Sequence, residues 1–283
     1  MPPVSIDLPR YLDRIGWTGD LPRPTLPDLR TLVARHTAAI PFENINPLLG
    51  ARVSLDVADI ERKMVADGRG GYCFEQNRLF ATALENIGFK LSTLIARVLW
   101  TKDEDAITTR SHMLLKVETS QGPHLVDVGF GGLTLTGALA LVEDIEQATP
   151  HEPFRLVRRD DGDWRMQAQV QGEWKTLYRF DLQPQHPIDY EAPNHYAATF
   201  PLSHFTDTLI VARTLPGARL ALRNGDYSIH RKGAESEKRL LGSVDAICRA
   251  LVEDFGIRLP EGGALQRRLA EVIQPQQVGD SAN

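Results

Sequence analysis

A change of hydrophobic period near residue 91 divides the chain into two kinds of structure. Before it, apolar residues recur at helical spacing: Ile6, Leu8, Tyr11, Leu12 and Ile15 within 5–15, Leu29, Leu32, Val33 and His36 within 25–39, and Val57, Ile60 and Met64 within 56–66. After it, the period is two. Strands are predicted over 91–100, 111–119 and 125–130, with Gln121-Gly122-Pro123 marking a hairpin turn between the last two. A further meander is predicted at 154–159, 164–170 and 174–180, and such a run of short antiparallel strands suggests a small barrel or strongly curved sheet. Residues 41–45 read as a loop, and 181–205, with four prolines, as a connector. Short strands at 208–213, 218–222 and 227–231 then precede helices at 244–255 and 264–273, with a polar tail from Gln274.

One stretch ties the helical part to chemistry. Arg69-Gly70-Gly71-Tyr72-Cys73-Phe74-Glu75-Gln76-Asn77 runs from a glycine pair into an amphipathic pattern of Phe74, Leu79, Phe80, Ala83, Leu84 and Ile87 that stops at Gly88. Cys73 therefore falls at the start of a helix of about four turns. Unpaired N–H groups and the positive end of the helix dipole favour a thiolate there. The glycines allow close backbone approach and leave the sulfur uncovered. A lone cysteine is more often a small buried hydrophobe, so the reading needs a base and an orienting group elsewhere.

His112 and Asp127 meet that need, each a polar residue within an apolar strand pattern. A buried carboxylate requires a partner, and His112 is available if the two strands are neighbours. The turn allows registers that set the pair opposite each other and others that separate them by a few residues. Asp127 would fix the tautomer of His112, and His112 would take the Cys73 proton. The competing reading is a satisfied core pair without chemistry. Gly129-Phe130-Gly131-Gly132 follows directly; its N–H groups could cradle an anion, although a sharp turn accounts for it as well. Cys248 belongs to an apolar helix face. His36, His124, His186, His195, His204 and His230 show no ligand spacing, so no metal site is expected.

Composition excludes several classes. A net charge of −5 argues against a general nucleic-acid binder. No apolar run approaches the roughly 20 residues of a membrane-spanning helix, and no signal peptide is visible. Two cysteines give no disulfide framework, so a reducing, cytoplasmic setting is expected.

Taken together, Arg69 to Asn77, Ser111-His112-Met113-Leu114-Leu115, Val126-Asp127-Val128-Gly129-Phe130-Gly131 and Pro41-Phe42-Glu43-Asn44 resemble the arylamine N-acetyltransferases of prokaryotic type, in order and spacing over nearly the whole chain. The resemblance implies an α+β multidomain fold: a helical bundle over 1–92 carrying the nucleophile, an antiparallel β-barrel and connector over 93–200 carrying His and Asp, and an α/β lid over 201–283, with a cysteine-protease/transglutaminase-like catalytic core. It implies Cys73 as nucleophile, His112 as base and Asp127 as orienter. It implies Thr109, Phe130, Gly131 and Gly132 along the cosubstrate cleft, and Phe42, Val98 and Phe205 as acceptor-pocket walls. The implied reaction passes acetyl from acetyl-CoA, a cosubstrate rather than a bound cofactor, through acetyl-cysteine to arylamines, arylhydrazines or N-hydroxyarylamines. One departure is Asn194-His195-Tyr196, where relatives often carry an aromatic in the middle. Three other readings stay open. A macrolactam-forming amide synthase would share every motif, a hydrolase or transglutaminase-like enzyme would use the same relay, and a non-enzymatic binding protein would leave Cys73 inert.

Overall fold

In the computed structural model, which describes residues 5–273, the first third is helical. It comprises α1 (Leu8–Arg14), α2 (Leu26–Ala39), a two-residue strand β1 (Phe42–Glu43), α3 (Ile45–Leu48), α4 (Val57–Glu61) and α5 (Cys73–Ile87). Helix starts follow from side chains: Asp7 accepts from the Arg10 N–H and Thr25 from the Asp28 N–H. Helix α4 runs on into a π-helical turn at Arg62–Ala66, and α5 ends at Gly88, whose φ of 104° is open to glycine.

Seven antiparallel strands follow: β2 (Lys90–Val98), β3 (Arg110–Thr119), β4 (Gly122–Val126), β5 (Leu139–Ala140), β6 (Phe154–Arg158), β7 (Trp164–Val170) and β8 (Glu173–Phe180). Their spatial order is β5-β4-β3-β2-β8-β7-β6. Bridges from Glu143 to Leu156 and from Gln147 to Phe154 bring the two edges together, so the sheet is a nearly closed barrel. Alternation along β3 decides the packing. Leu114 points into the barrel with Leu94, Ala96, Leu125 and Met166, while Met113, Leu115 and Val117 face the helices and join Phe74 and Phe80 of α5.

After α6 (Glu191–Thr199) comes a second antiparallel sheet of β9 (Ile210–Leu215), β10 (Ala218–Arg223), β11 (Asp226–Arg231) and β12 (Glu237–Leu240). Helices α7 (Val244–Glu253) and α8 (Ala264–Val272) pack on it through Ile247, Leu251, Leu265 and Leu269. Its other edge is β1, with Phe42 paired to Ala212 and Glu43 to Val211.

The α+β class is as expected, and several local readings change. Residues 41–45 are not a loop, because Phe42 and Glu43 pair with a strand 168 residues later that no local pattern announces. The connector contains α6, since Pro193 falls within the first turn, where a missing N–H costs nothing. Strand β12 is exposed and charged, an edge that periodicity does not mark. The strand predicted over 125–130 ends at Val126, so Asp127 lies just beyond it. The polar tail from Gln274 falls outside the described residues.

Candidate active site

The loop before α5 is shaped around the backbone of Cys73. A Cβ at Gly70 would lie 2.1 Å from the Pro41 carbonyl oxygen, and one at Gly71 would lie 2.7 Å from the Glu75 carboxylate. Only glycines let these strands of backbone come so close. Glu75 accepts from the Tyr72 N–H at 3.1 Å and from Lys63 at 2.7 Å. Glu43 pairs with Arg69 at 2.7 Å and accepts from the Ile45 N–H at 2.6 Å. Burial pushes Glu75 up and Lys63 opposes it; for Glu43 the cations Lys63 and Arg69 outweigh burial, and the carboxyl is held below its ordinary range. These ion pairs fix the entry to α5, and Cys73 is its first residue, only 5% exposed.

Above the sulfur lies β3. Its ladder with β2 pairs Ala96 with His112 and Arg97 with Arg110, so Ser111 is bulged. A bulge re-aims the neighbouring side chains and carbonyls. Here the Ser111 carbonyl lies 3.5 Å from the Cys73 sulfur, one residue before His112. The β3–β4 register pairs Leu115 with Val126. One step on, Asp127 lies across from Leu114, which makes His112 its diagonal neighbour on the same face, within reach of a side-chain contact. The Asp127 Oδ2 to His112 Nε2 distance is 2.7 Å. That leaves Nδ1 for the sulfur.

Asp127 is 1% exposed and bears three donors: His112, the Asn77 amide at 3.0 Å and the Gly129 N–H at 2.9 Å. Burial would raise its carboxyl, but His112 and these donors hold it below its ordinary range. For His112, burial pushes downward; Asp127 and the Cys73 sulfur outweigh it and raise the imidazole to about 10. The ring is packed by Tyr178 at 4.9 Å and, edge-on, by Phe130 at 5.2 Å. A ring so placed can exchange a proton with a nearby thiol while a carboxylate fixes its tautomer.

The other predicted residues fall into groups. Phe42 and Phe205 lie 6.2 Å apart, and Phe205 meets Tyr72 edge-on at 5.6 Å, one residue from Cys73. Gly131, at φ 88°, faces the Phe42 ring, which a Cβ there would meet at 3.6 Å. The Gly132 carbonyl accepts from buried Arg219 at 3.3 Å, and Arg219 is itself clasped by Glu152 at 2.6 Å. Val98 pairs across the ladder with Tyr178, the ring packed on His112. Thr109 is exposed just before β3, where its carbonyl accepts from the Ser111 hydroxyl; among the described residues no hydrogen bond joins it to Cys73, His112 or Asp127.

Sequence reasoning missed Asn77, Tyr178 and the bulge at Ser111. Asn77 binds the Cys73 and Met113 carbonyls and Asp127, and accepts from the Val128 N–H at 3.1 Å. Its spacing of four from Cys73 was the available signal, since it sets both on one helix face.

Comparison with known proteins places the chain among relatives. An N-acetyltransferase family model matches residues 25–263. An arylamine N-acetyltransferase of Mycolicibacterium smegmatis is 42% identical over 276 residues, covering 95% of this chain and 99% of its own. An arylamine N-acetyltransferase / N-hydroxyarylamine O-acetyltransferase of Salmonella typhimurium is 38% identical, covering 88% and 89%. The structure of a Mycobacterium marinum arylamine N-acetyltransferase in complex with CoA superposes with a TM-score of 0.90 at 39% identity, covering 95% of this chain and 100% of that one.

Proposed function

The chain belongs to the arylamine N-acetyltransferase family, a family of acyltransferases, and from that premise we propose that it passes acetyl from acetyl-CoA to aromatic nitrogen through an acetyl-cysteine at Cys73. One observation carries the reading: a buried imidazole with a carboxylate 2.7 Å from one nitrogen, on a strand whose adjacent Ser111 carbonyl lies 3.5 Å from the Cys73 sulfur. His112 Nδ1 takes the thiol proton. The thiolate attacks the acetyl carbonyl, the thioester C–S bond breaks, and His112 returns the proton to the departing CoA sulfur. In the second half the amine attacks the acetyl-cysteine, His112 takes the amine proton, and Cys73 leaves as a thiolate. Asp127 holds the tautomer and stabilises the imidazolium throughout.

Phe42 and Phe205 supply apolar walls for an aromatic ring, and Val98, the ladder partner of Tyr178, is the third wall we assign. Aromatic amines are neutral near pH 7 and present a free lone pair; arylhydrazines offer a comparable nitrogen. The name of the Salmonella relative supports N-hydroxyarylamines as oxygen acceptors. Phe130, Gly131 and Gly132, with Thr109 at the rim, form the donor side, and the CoA complex of the M. marinum relative supports acetyl-CoA as donor. One thiol serving both halves demands ping-pong kinetics. Initial rates with acetyl-CoA and an anisidine should give parallel double-reciprocal lines and an N-acetyl product. Intersecting lines would mean direct transfer in a ternary complex and would remove Cys73 from its role.

A further inference from the structure

Behind the Cys73 loop lies a buried histidine that the relay does not use. His36, on α2, is 0% exposed. Its Nδ1 is 2.8 Å from the Tyr11 hydroxyl, its Nε2 is 2.8 Å from Gln76 Oε1, and its ring meets Phe80 edge-on at 5.0 Å. The polarity of this chain of bonds is forced. Gln76 Nε2 faces three carbonyls, those of Pro41 at 2.8 Å, Gly71 at 3.2 Å and Ile40 at 3.4 Å. Carbonyls only accept, so the amide NH2 must point to them and Oε1 must point to His36. His36 then carries its proton on Nε2, and Nδ1 accepts from Tyr11. Burial keeps the imidazole neutral, which this arrangement needs.

The far end of the chain is where it acts. Pro41 precedes Phe42, and Gly71 is two residues before Cys73. The same two carbonyls also accept from the Gly71 and Glu43 N–H groups at 3.3 and 3.1 Å. A single amide thus spans the aromatic wall and the nucleophile's loop. We propose that Gln76, with its amide locked by neutral His36, is a positioning residue for the second half-reaction, setting Phe42 against Cys73 and so the amine's ring against the acetyl-cysteine. The proposal rests on the acetyl-cysteine reading above. It assigns Gln76 no part in the first half, whose bond changes occur at the sulfur and His112.

The test measures the two halves separately. His36→Phe removes the donor to Oε1, leaves that oxygen buried and unpaired, and so loosens the amide's hold on the two loops. The expected result is an arylamine KM raised about tenfold, because small misplacements of a reactant are costly, with the burst of CoA released before amine is added unchanged in rate. His36→Gln can donate to Oε1 again and should restore KM. Tyr11→Phe loses a bond behind the imidazole, leaves the amide's orientation dictated, and should lower the melting temperature without moving KM. If His36→Phe does not fold, His36→Met carries the same expectation. Equal KM shifts for Tyr11→Phe and the His36 apolar variant would reduce the network to core packing and overturn the proposal, as would a burst slowed as much as the amine step. Absence of any burst in the unaltered protein would instead remove the acetyl-cysteine reading, and this proposal with it.

Discussion

At the scale of single residues, the decisive feature is a carboxylate kept charged in a dry place. Asp127 is stabilised there by three donors, of which only the His112 ring is assigned chemistry in the proposed mechanism. Asp127→Asn should keep the Asn77 and Gly129 contacts in outline but favour the wrong His112 tautomer. The rate of CoA release should fall by about two to four orders of magnitude, and near-normal release would make Asp127 merely structural. The two thiols offer a second check. Cys248 is the more exposed, yet burial and Asp245 push its thiol up. Iodoacetamide should therefore label Cys73 first despite its 5% exposure, with loss of activity, and Cys248→Ser should change little. Equal labelling would contradict the role proposed for Cys73. Cys73, His112 and Asp127 stood out in the sequence because each breaks a local pattern: a thiol after two glycines, a base and a carboxylate among apolar strand residues. Asn77 breaks none. Its partners lie up to 51 positions away, and only the folded chain reveals them.

At the scale of elements, one close approach brings the proposed relay together. The turn after β4 lies on the first turn of α5 because residue 129 has no side chain. A Cβ there would sit 2.8 Å from both the Asn77 amide nitrogen and the Cys73 Cα. Gly129→Ala should push the turn off the helix, costing about 1–3 kcal/mol of stability as overpacking does. It should slow CoA release far more than the melting temperature suggests, because Asp127 and the helix separate. A variant that loses stability and activity in step would show that the contact is packing alone. The helix start and the β3–β4 hairpin were readable from local pattern. The register was not, since alternation fixes which face a residue takes and leaves the slip along the strand to the turn. The bulge at Ser111 and the pairing of β1 with β9 were equally hidden, one being a local break in a ladder and the other a contact between distant segments.

At the scale of the whole molecule, two buried histidines shape stability in opposite directions. His36 is lowered from 6.5 to about 4, so its preference for the neutral form is fully stabilising above pH 6.5 and is lost as pH falls toward 4. His112 is raised from 6.5 to about 10, so its pairing is fully stabilising below pH 6.5 and is lost as pH rises toward 10. Melting temperature against pH should be a dome; His36→Gln should flatten its acid limb and Asp127→Asn its alkaline limb. Unchanged limbs would mean that other groups set the profile. The α+β class and the antiparallel barrel followed from the change of period, whereas closure through Glu143 and Gln147 depends on single bridges that no pattern encodes. In the proposed mechanism one sulfur carries the acetyl group between two substrates. This transfer is tested most directly by mixing the protein with acetyl-CoA alone, following free CoA and weighing the intact chain. The expected result is a burst of about one equivalent of CoA, a stall, one acetyl group on the peptide containing Cys73, and renewed turnover when an arylamine is added. Steady CoA release without amine, or an unmodified Cys73 after the burst, would contradict it.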